Sequence, residues 1–187
     1  MKKISKILAA NRSEIAIRIF RAAEESGIKT AAIYSKEDRF AIHRFKTDES
    51  YLVGEGKGPI QAYLDIDSII KIAKDAKVDA IHPGYGFLSE SPELAEQCEK
   101  NDITFIGPSK EILKRFGNKT EAKKVAEEAK VGTVPSVLVT KENLKSVEKE
   151  VEKIGYPVIV KASWGGGGRG MRVVTSSNKL IDQISTA

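Results

Sequence analysis

Ile4-Ser-Lys-Ile-Leu-Ala-Ala10-Asn-Arg-Ser13-Glu-Ile-Ala-Ile-Arg-Ile-Phe20-Arg-Ala-Ala-Glu-Glu25-Ser-Gly27-Ile-Lys-Thr30-Ala-Ala-Ile-Tyr34 reads as strand, helix and strand in succession. Residues 4–9 read as a short strand. Residues 13–25 then carry Ile15, Ile17, Ile19, Phe20, Ala22 and Ala23 at helical spacing, with Gly27 placed to stop the helix. Residues 30–34 give a second strand. Further along, Asp67 is expected to cap a helix over 68–76, residues 80–81 form a short buried strand, and Ser91-Pro92 opens a helix with proline at its first position. Residues 103–106 supply another strand. Strands alternating with helices at this spacing imply parallel strand-helix-strand units with right-handed crossovers, hence an α/β fold with an open doubly wound parallel sheet.

The texture changes after Gly107-Pro108. Helical stretches 110–116 and 120–130 are separated by Gly117-Asn118, and from Ser136 the expected order is strand, charged helix (143–154), strand (157–162), glycine cluster, strand (171–175) and a last helix from about Asn178. Residues 1–117 are therefore expected to form one domain, 118–132 a helical connection, and 133–187 the start of a second, incomplete domain. A length of 187 residues suits this division, at roughly 150 residues per domain.

Composition narrows the function. With 41% hydrophobic and 30% charged residues, the chain has the profile of a globular protein rather than a disordered or fibrous one. No run approaches the roughly 18–20 apolar residues of a membrane span. Residues 7–10 are too short for the apolar core of a signal peptide, and Cys98 is a single thiol without a disulfide or metal partner, so a reducing, cytoplasmic setting is expected. The formal charge of +5 arises from 31 basic and 26 acidic residues that interleave, as in 145–153, rather than gathering into a stripe. That argues against nucleic acid and suits a small anionic ligand.

The strongest chemical signal is Pro157-Val-Ile-Val-Lys161-Ala-Ser-Trp-Gly165-Gly-Gly-Gly168-Arg169-Gly170-Met171-Arg-Val-Val174. Consecutive glycines lose the most entropy on ordering and are of little use in a core, but they offer bare N–H groups that can curl around an anion. Lys161 and Arg169 bracket them with positive charge. Gly165, Gly167 and Gly170 also match G-x-G-x-x-G, but that fingerprint needs a helix directly afterwards, and residues 171–174 read as a strand. The run is thus a glycine-tipped hairpin, a phosphate flap or a tip with no ligand. Gly117-Asn118-Lys119-Thr120 ends like a Walker A loop but has Leu113 and Asn118 where glycine is required, which leaves Lys119 as a surface lysine or a phosphate contact at a helix start. His82-Pro83-Gly84-Tyr85-Gly86-Phe87-Leu88-Ser89-Glu90 follows a strand at the sheet edge where such folds bind ligands, as a shaped ligand loop or a structural turn with His82 satisfied by backbone. Asn11-Arg12-Ser13-Glu14 occupies the equivalent edge after the first strand and reads as a helix cap or a ligand loop, the cap being the favoured reading.

Taken together, residues 9–16, 80–90, 105–108 and 161–171 resemble the biotin carboxylase part of biotin-dependent carboxylases, in order and along the whole chain. Residues 51–66 look like the branch whose final acceptor is pyruvate rather than acetyl-CoA. Ser13 departs from the Gly of many members, and Trp164 from Gly or Ala. The resemblance implies a Rossmann-like pre-ATP-grasp domain followed by the start of an ATP-grasp lid. It implies Mg2+, ATP and bicarbonate as reactants, and biotin carried on another domain or protein. By it, Lys119, Lys161, Gly167, Gly168 and Met171 face ATP, and Tyr85, Gly86 and Glu90 border the biotin and bicarbonate site. Arg18 and Arg21 match positions on a dimer surface, and the implied partners are biotin carrier and carboxyltransferase domains within a homo-oligomer, with no nucleic acid and no membrane. The family's catalytic and metal-holding residues match nothing within these 187 residues, so the isolated stretch is expected to be inactive. An acetyl-CoA or propionyl-CoA carboxylase, or a non-catalytic nucleotide-binding or interaction module, are the alternatives.

Overall fold

The computed structural model describes residues 3–140, 142–144, 146–161 and 171–186. They fall into two units, Met1–Lys114 and Arg115–Ala187.

In the first unit, strands β1 (Lys6–Ala9), β2 (Lys29–Tyr34), β3 (Glu49–Leu52), β4 (Ala80–His82) and β5 (Thr104–Phe105) form one sheet in the order β3-β2-β1-β4-β5, every pair parallel. Helices α1 (Ser13–Glu25), α2 (Ile66–Asp75) and α3 (Pro92–Lys100) provide the crossovers. Strand alternation sorts the core. Ile7, Ala9, Ala32 and Ala80 pack on the face that Ala16, Phe20 and Ala23 of α1 cover, whereas Leu8, Ala31, Ile33 and Ile81 pack with Ile69, Ile72 and Ala73 of α2 and Leu94 and Cys98 of α3. Right-handed crossovers require this split, because the chain runs outward from β1 to β2 in one direction and from β4 to β5 in the other.

Three local readings are corrected. The cap of α2 is Asp65, whose side chain accepts from Ser68 N, so the helix starts two residues before the expected site and Asp67 lies in its first turn. Strand β3 has no counterpart in the sequence reading. It is an edge strand, its Glu49, Ser50 and Tyr51 half-buried, and polar residues on an edge deter stray pairing. Ser13 stands at φ +55, a left-handed conformation natural to glycine, and α1 has Arg12 at its N-cap with no side-chain cap bond.

The second unit holds α5 (Lys119–Glu128), α6 (Val147–Ile154), a hairpin of β6 (Val158–Val160) and β7 (Arg172–Val174), and α7 (Leu180–Ser185). Helix α4 (Lys110–Gly117) precedes them. Val147, Val151, Val174 and Leu180 form the buried core of this unit, with Val137, Val139, Val158 and Val160 against it. The strand expected from Ser136 does not form among the described residues, although Val137 and Val139 still face inward. The charged helix begins at Val147 rather than Asn143, because the Asn143 side chain accepts from Thr140 N (2.8 Å) and donates to Leu138 O (2.7 Å), holding a turn there. Asn118 separates the two preceding helices by capping α5, accepting from Thr120 N at 2.9 Å and Glu121 N at 3.3 Å.

Candidate functional site

Open α/β sheets bind ligands at the carboxyl edge, where the strand order reverses. Here that switch point lies between β1 and β4, and two of the sequence motifs leave the sheet there: Asn11-Arg12 after β1 and the 82–90 loop after β4. They form one structure. The fully buried Asn11 uses both hydrogens of its Nδ2, donating to Pro83 O (2.8 Å) and Tyr85 O (2.9 Å), while its Oδ1 accepts from Arg12 N at 2.9 Å. Gly84, at φ +69, passes so close that an added Cβ would lie 2.5 Å from Ile15 Cγ2 and 2.8 Å from Asn11 Nδ2. His82 Nδ1 accepts from Gly84 N at 3.0 Å, so the backbone does satisfy this histidine, and burial lowers its pKa.

The far end of the loop is anchored separately. Phe87 stacks on Tyr63 with ring centroids 5.2 Å apart, and the Arg12 guanidinium lies 5.5 Å from the Tyr63 centroid and 5.6 Å from that of Phe87. Asp38 accepts from Arg12 (3.1 Å) and from Tyr63 Oη (2.7 Å). Burial pushes the Asp38 carboxyl up, but the bonds from Tyr63 and Arg12 outweigh it and hold the pKa below the ordinary value. Burial, with the bond to Asp38, pushes the Tyr63 phenol far upward, so it stays protonated as the donor.

Tyr85, Gly86 and Glu90 thus share one loop whose backbone is fixed from beneath. Tyr85 is 64% exposed and donates to Glu14 Oε1 at 2.6 Å, Gly86 stands at φ +68, and Glu90 is exposed just before the Ser91 cap of α3. Sequence reasoning missed the supports Asn11, Asp38 and Tyr63. Their partners lie 25 to 74 residues away, and only the motif character of Asn11-Arg12 hinted at them.

His43 is fully buried against β2, with Nε2 3.1 Å from Ile33 O and Nδ1 without a hydrogen-bond partner among the described residues. Burial lowers its pKa from the ordinary 6.5. The folded state therefore resists the proton that the unfolded chain accepts, so this stability is present above about pH 6.5 and is lost as pH falls below it. Urea midpoints are expected to fall between pH 7.5 and 5.5, with a shallower slope in His43→Leu. A flat profile would exclude the effect. Asp38, lowered from an ordinary 3.8, adds its own loss only in more acidic solution.

The second unit supplies a different surface. Pairing of Ile159 with Val173 fixes the faces of the β6–β7 hairpin. Val158, Val160 and Val174 turn to the core, leaving Ile159 (53% exposed) and Val173 (65%) outward, and the alternation continues to exposed Lys161 and Met171 (45%). An apolar platform with a cation at its rim suits a planar base with an anionic tail. Beside it, a groove of about 860 Å³ is lined by Lys123, Lys124, Val134, Leu138, Ile159 and Lys161 among others. Gly167 and Gly168 lie outside the described residues, as does the Lys119 side chain; the Lys119 backbone opens α5.

Residues 3–113 match the family model described as biotin carboxylase, N-terminal domain, and residues 118–187 match the ATP binding domain of the carbamoyl-phosphate synthase L chain. Pyruvate carboxylase of Bacillus subtilis is 56% identical over 186 residues, covering 100% of this chain and 16% of that protein. A solved Rhizobium etli pyruvate carboxylase superposes with a TM-score of 0.86 at 55% identity, over 96% of this chain and 16% of its own. The biotin carboxylase domain of Hydrogenobacter thermophilus 2-oxoglutarate carboxylase, solved with Mg-ADP, ADP and bicarbonate, gives a TM-score of 0.90 at 40% identity, over 97% of this chain and 40% of its own. The chain thus spans about one sixth of the pyruvate carboxylases it matches, at 16% of their length. No helix among the described residues is long and apolar enough to cross a membrane. With the doubly wound sheet, the clamped loop at its switch point and a family match over most of the chain in agreement, the chain belongs to the biotin carboxylase family.

Proposed function

We propose that this chain is the N-terminal part of the biotin carboxylase region of a pyruvate carboxylase. In that reaction Mg-ATP phosphorylates bicarbonate, giving ADP and carboxyphosphate, which releases phosphate and CO2. Biotin, held on a carrier domain, takes up the CO2 in exchange for a proton and conveys it to pyruvate, forming oxaloacetate. The observation that carries this reading is the identity gradient: 46–56% to pyruvate carboxylases along the chain, against 40–42% to the 2-oxoglutarate enzyme's domain and the Campylobacter jejuni biotin carboxylase.

The chain's residues divide the work by unit. The outward face of the β6–β7 hairpin receives the nucleotide, with Met171 against the base and Lys161 on the phosphates, where Lys119, Gly167 and Gly168 add a second cation and bare amides. Tyr85, Gly86 and Glu90 border the biotin and bicarbonate. Phosphoryl transfer depends mainly on positioning and charge neutralisation, which cations and bare amides at the phosphate tail would supply. The match to full-length carboxylases also supports carrier and carboxyltransferase domains as partners in a homo-oligomer.

Purified full-length protein carrying this chain, given Mg-ATP and bicarbonate, is expected to form oxaloacetate from pyruvate and to leave acetyl-CoA and propionyl-CoA uncarboxylated. Malonyl-CoA or methylmalonyl-CoA in place of oxaloacetate would reassign the acceptor. No bicarbonate-dependent ADP release at all would leave a non-catalytic module.

A further inference from the structure

The two loops at the switch point are joined through a single side chain, and its chemistry admits few substitutes. Pro83 O and Tyr85 O converge on one buried point, so whatever occupies it must present two hydrogens from one neutral atom. A primary amide does so; a hydroxyl offers one hydrogen, a carboxylate none, and an ammonium would bury a charge. The amide's orientation is fixed as well, because Oδ1 accepts from Arg12 N, and a flipped side chain would face N–H with NH2 and two carbonyls with oxygen. The bonded carbonyls flank Gly84 and Tyr85, and Gly84 lies so close to the Asn11 amide that no side chain fits between them.

We propose that Asn11 is a positioning residue for the proposed reaction: by holding the carbonyls of Pro83 and Tyr85 it sets the backbone that presents Tyr85 and Gly86 to biotin and bicarbonate. Asn11 itself touches neither reactant. The proposal rests on the reading that the 82–90 loop borders those reactants, and the experiment separates the two.

In the full-length protein, Asn11→Asp turns a carboxylate oxygen toward two carbonyls and Asn11→Ser leaves them at most one hydrogen between them. Loss of buried hydrogen bonds of this kind is expected to raise KM for free biotin, for bicarbonate or for both by roughly tenfold or more, less for Asn11→Ser, while KM for ATP stays within about twofold. A general structural defect would not produce this split. Equal rises for all three reactants, or wild-type constants in a folded variant, would overturn the proposal. Should Asn11→Asp fail to fold, Asn11→Ser decides by the same criterion, since it buries no charge. Tyr85→Phe and Glu90→Gln serve as the separate check: if both leave biotin and bicarbonate constants at wild-type values, the assignment of the loop fails; if either shifts them and the Asn11 variants do not, the positioning role alone fails.

Discussion

Replacing Gly54 by alanine is expected to destabilise the first unit by about 2–5 kcal/mol. Gly54 follows β3 at φ +60, and a Cβ there would lie 2.4 Å from Ala62 Cα and 2.7 Å from Ala62 Cβ. The obstacle is backbone, which cannot rotate aside as a side chain does. It belongs to the short 3-10 turn Gln61–Leu64, whose Ala62 and Tyr63 are buried in the main core and whose Tyr63 holds Asp38 and Phe87. Gly56 offers the control. It stands at φ +80 with nothing within 4 Å of an added Cβ, so Gly56→Ala carries only the left-handed cost of about 1–2 kcal/mol. Thermal or urea unfolding of the two variants should therefore differ by the steric contribution; equal losses would show that the turn gives way freely.

Lys161→Ala in the full-length protein is expected to weaken ATP binding by about 1.5–3 kcal/mol, or roughly ten- to a hundredfold in Kd. Lys161 follows β6 directly, exposed on the same side of the hairpin as Ile159, so its ammonium is available to an anion without first breaking a buried contact. Lys161→Met keeps most of the length and removes the charge, and should match alanine if the phosphate contact dominates. The deficit should also shrink at high salt, since screening weakens the wild-type contact that the variants lack. Calorimetry showing unchanged Kd in both variants would remove Lys161 from the nucleotide site.

What the sequence made visible, and what it hid, follows from how far each interaction reaches along the chain. The strand-helix-strand alternation over 4–34 was readable because burial on both faces writes β1 and β2 as apolar runs and α1 as a periodic stripe. β3 was unreadable because an edge strand needs no apolar run, and its Glu49 instead pairs with Lys6, 43 residues earlier. Asp65 and Asp67 are both plausible caps in sequence; only the surrounding backbone makes Asp65 the acceptor. The glycine run pointed to a phosphate flap through composition alone, and that run lies outside the described residues. Asn11, by contrast, looked like a helix cap because every local rule for Asn before a helix says so, while its actual partners come from across the sheet. Lys161 and Met171 could be named from the motif, but their common side of the hairpin depends on the Ile159–Val173 register, which no local pattern specifies.

That register makes the hairpin a comb with two sets of teeth. In a saturation scan of 158–161 and 173–174 scored separately for folding and, on the proposed reading, for nucleotide affinity, tolerance in one score would alternate with tolerance in the other from one position to the next. Every second residue there could then be edited to probe the proposed nucleotide face while the fold's own interior stays untouched.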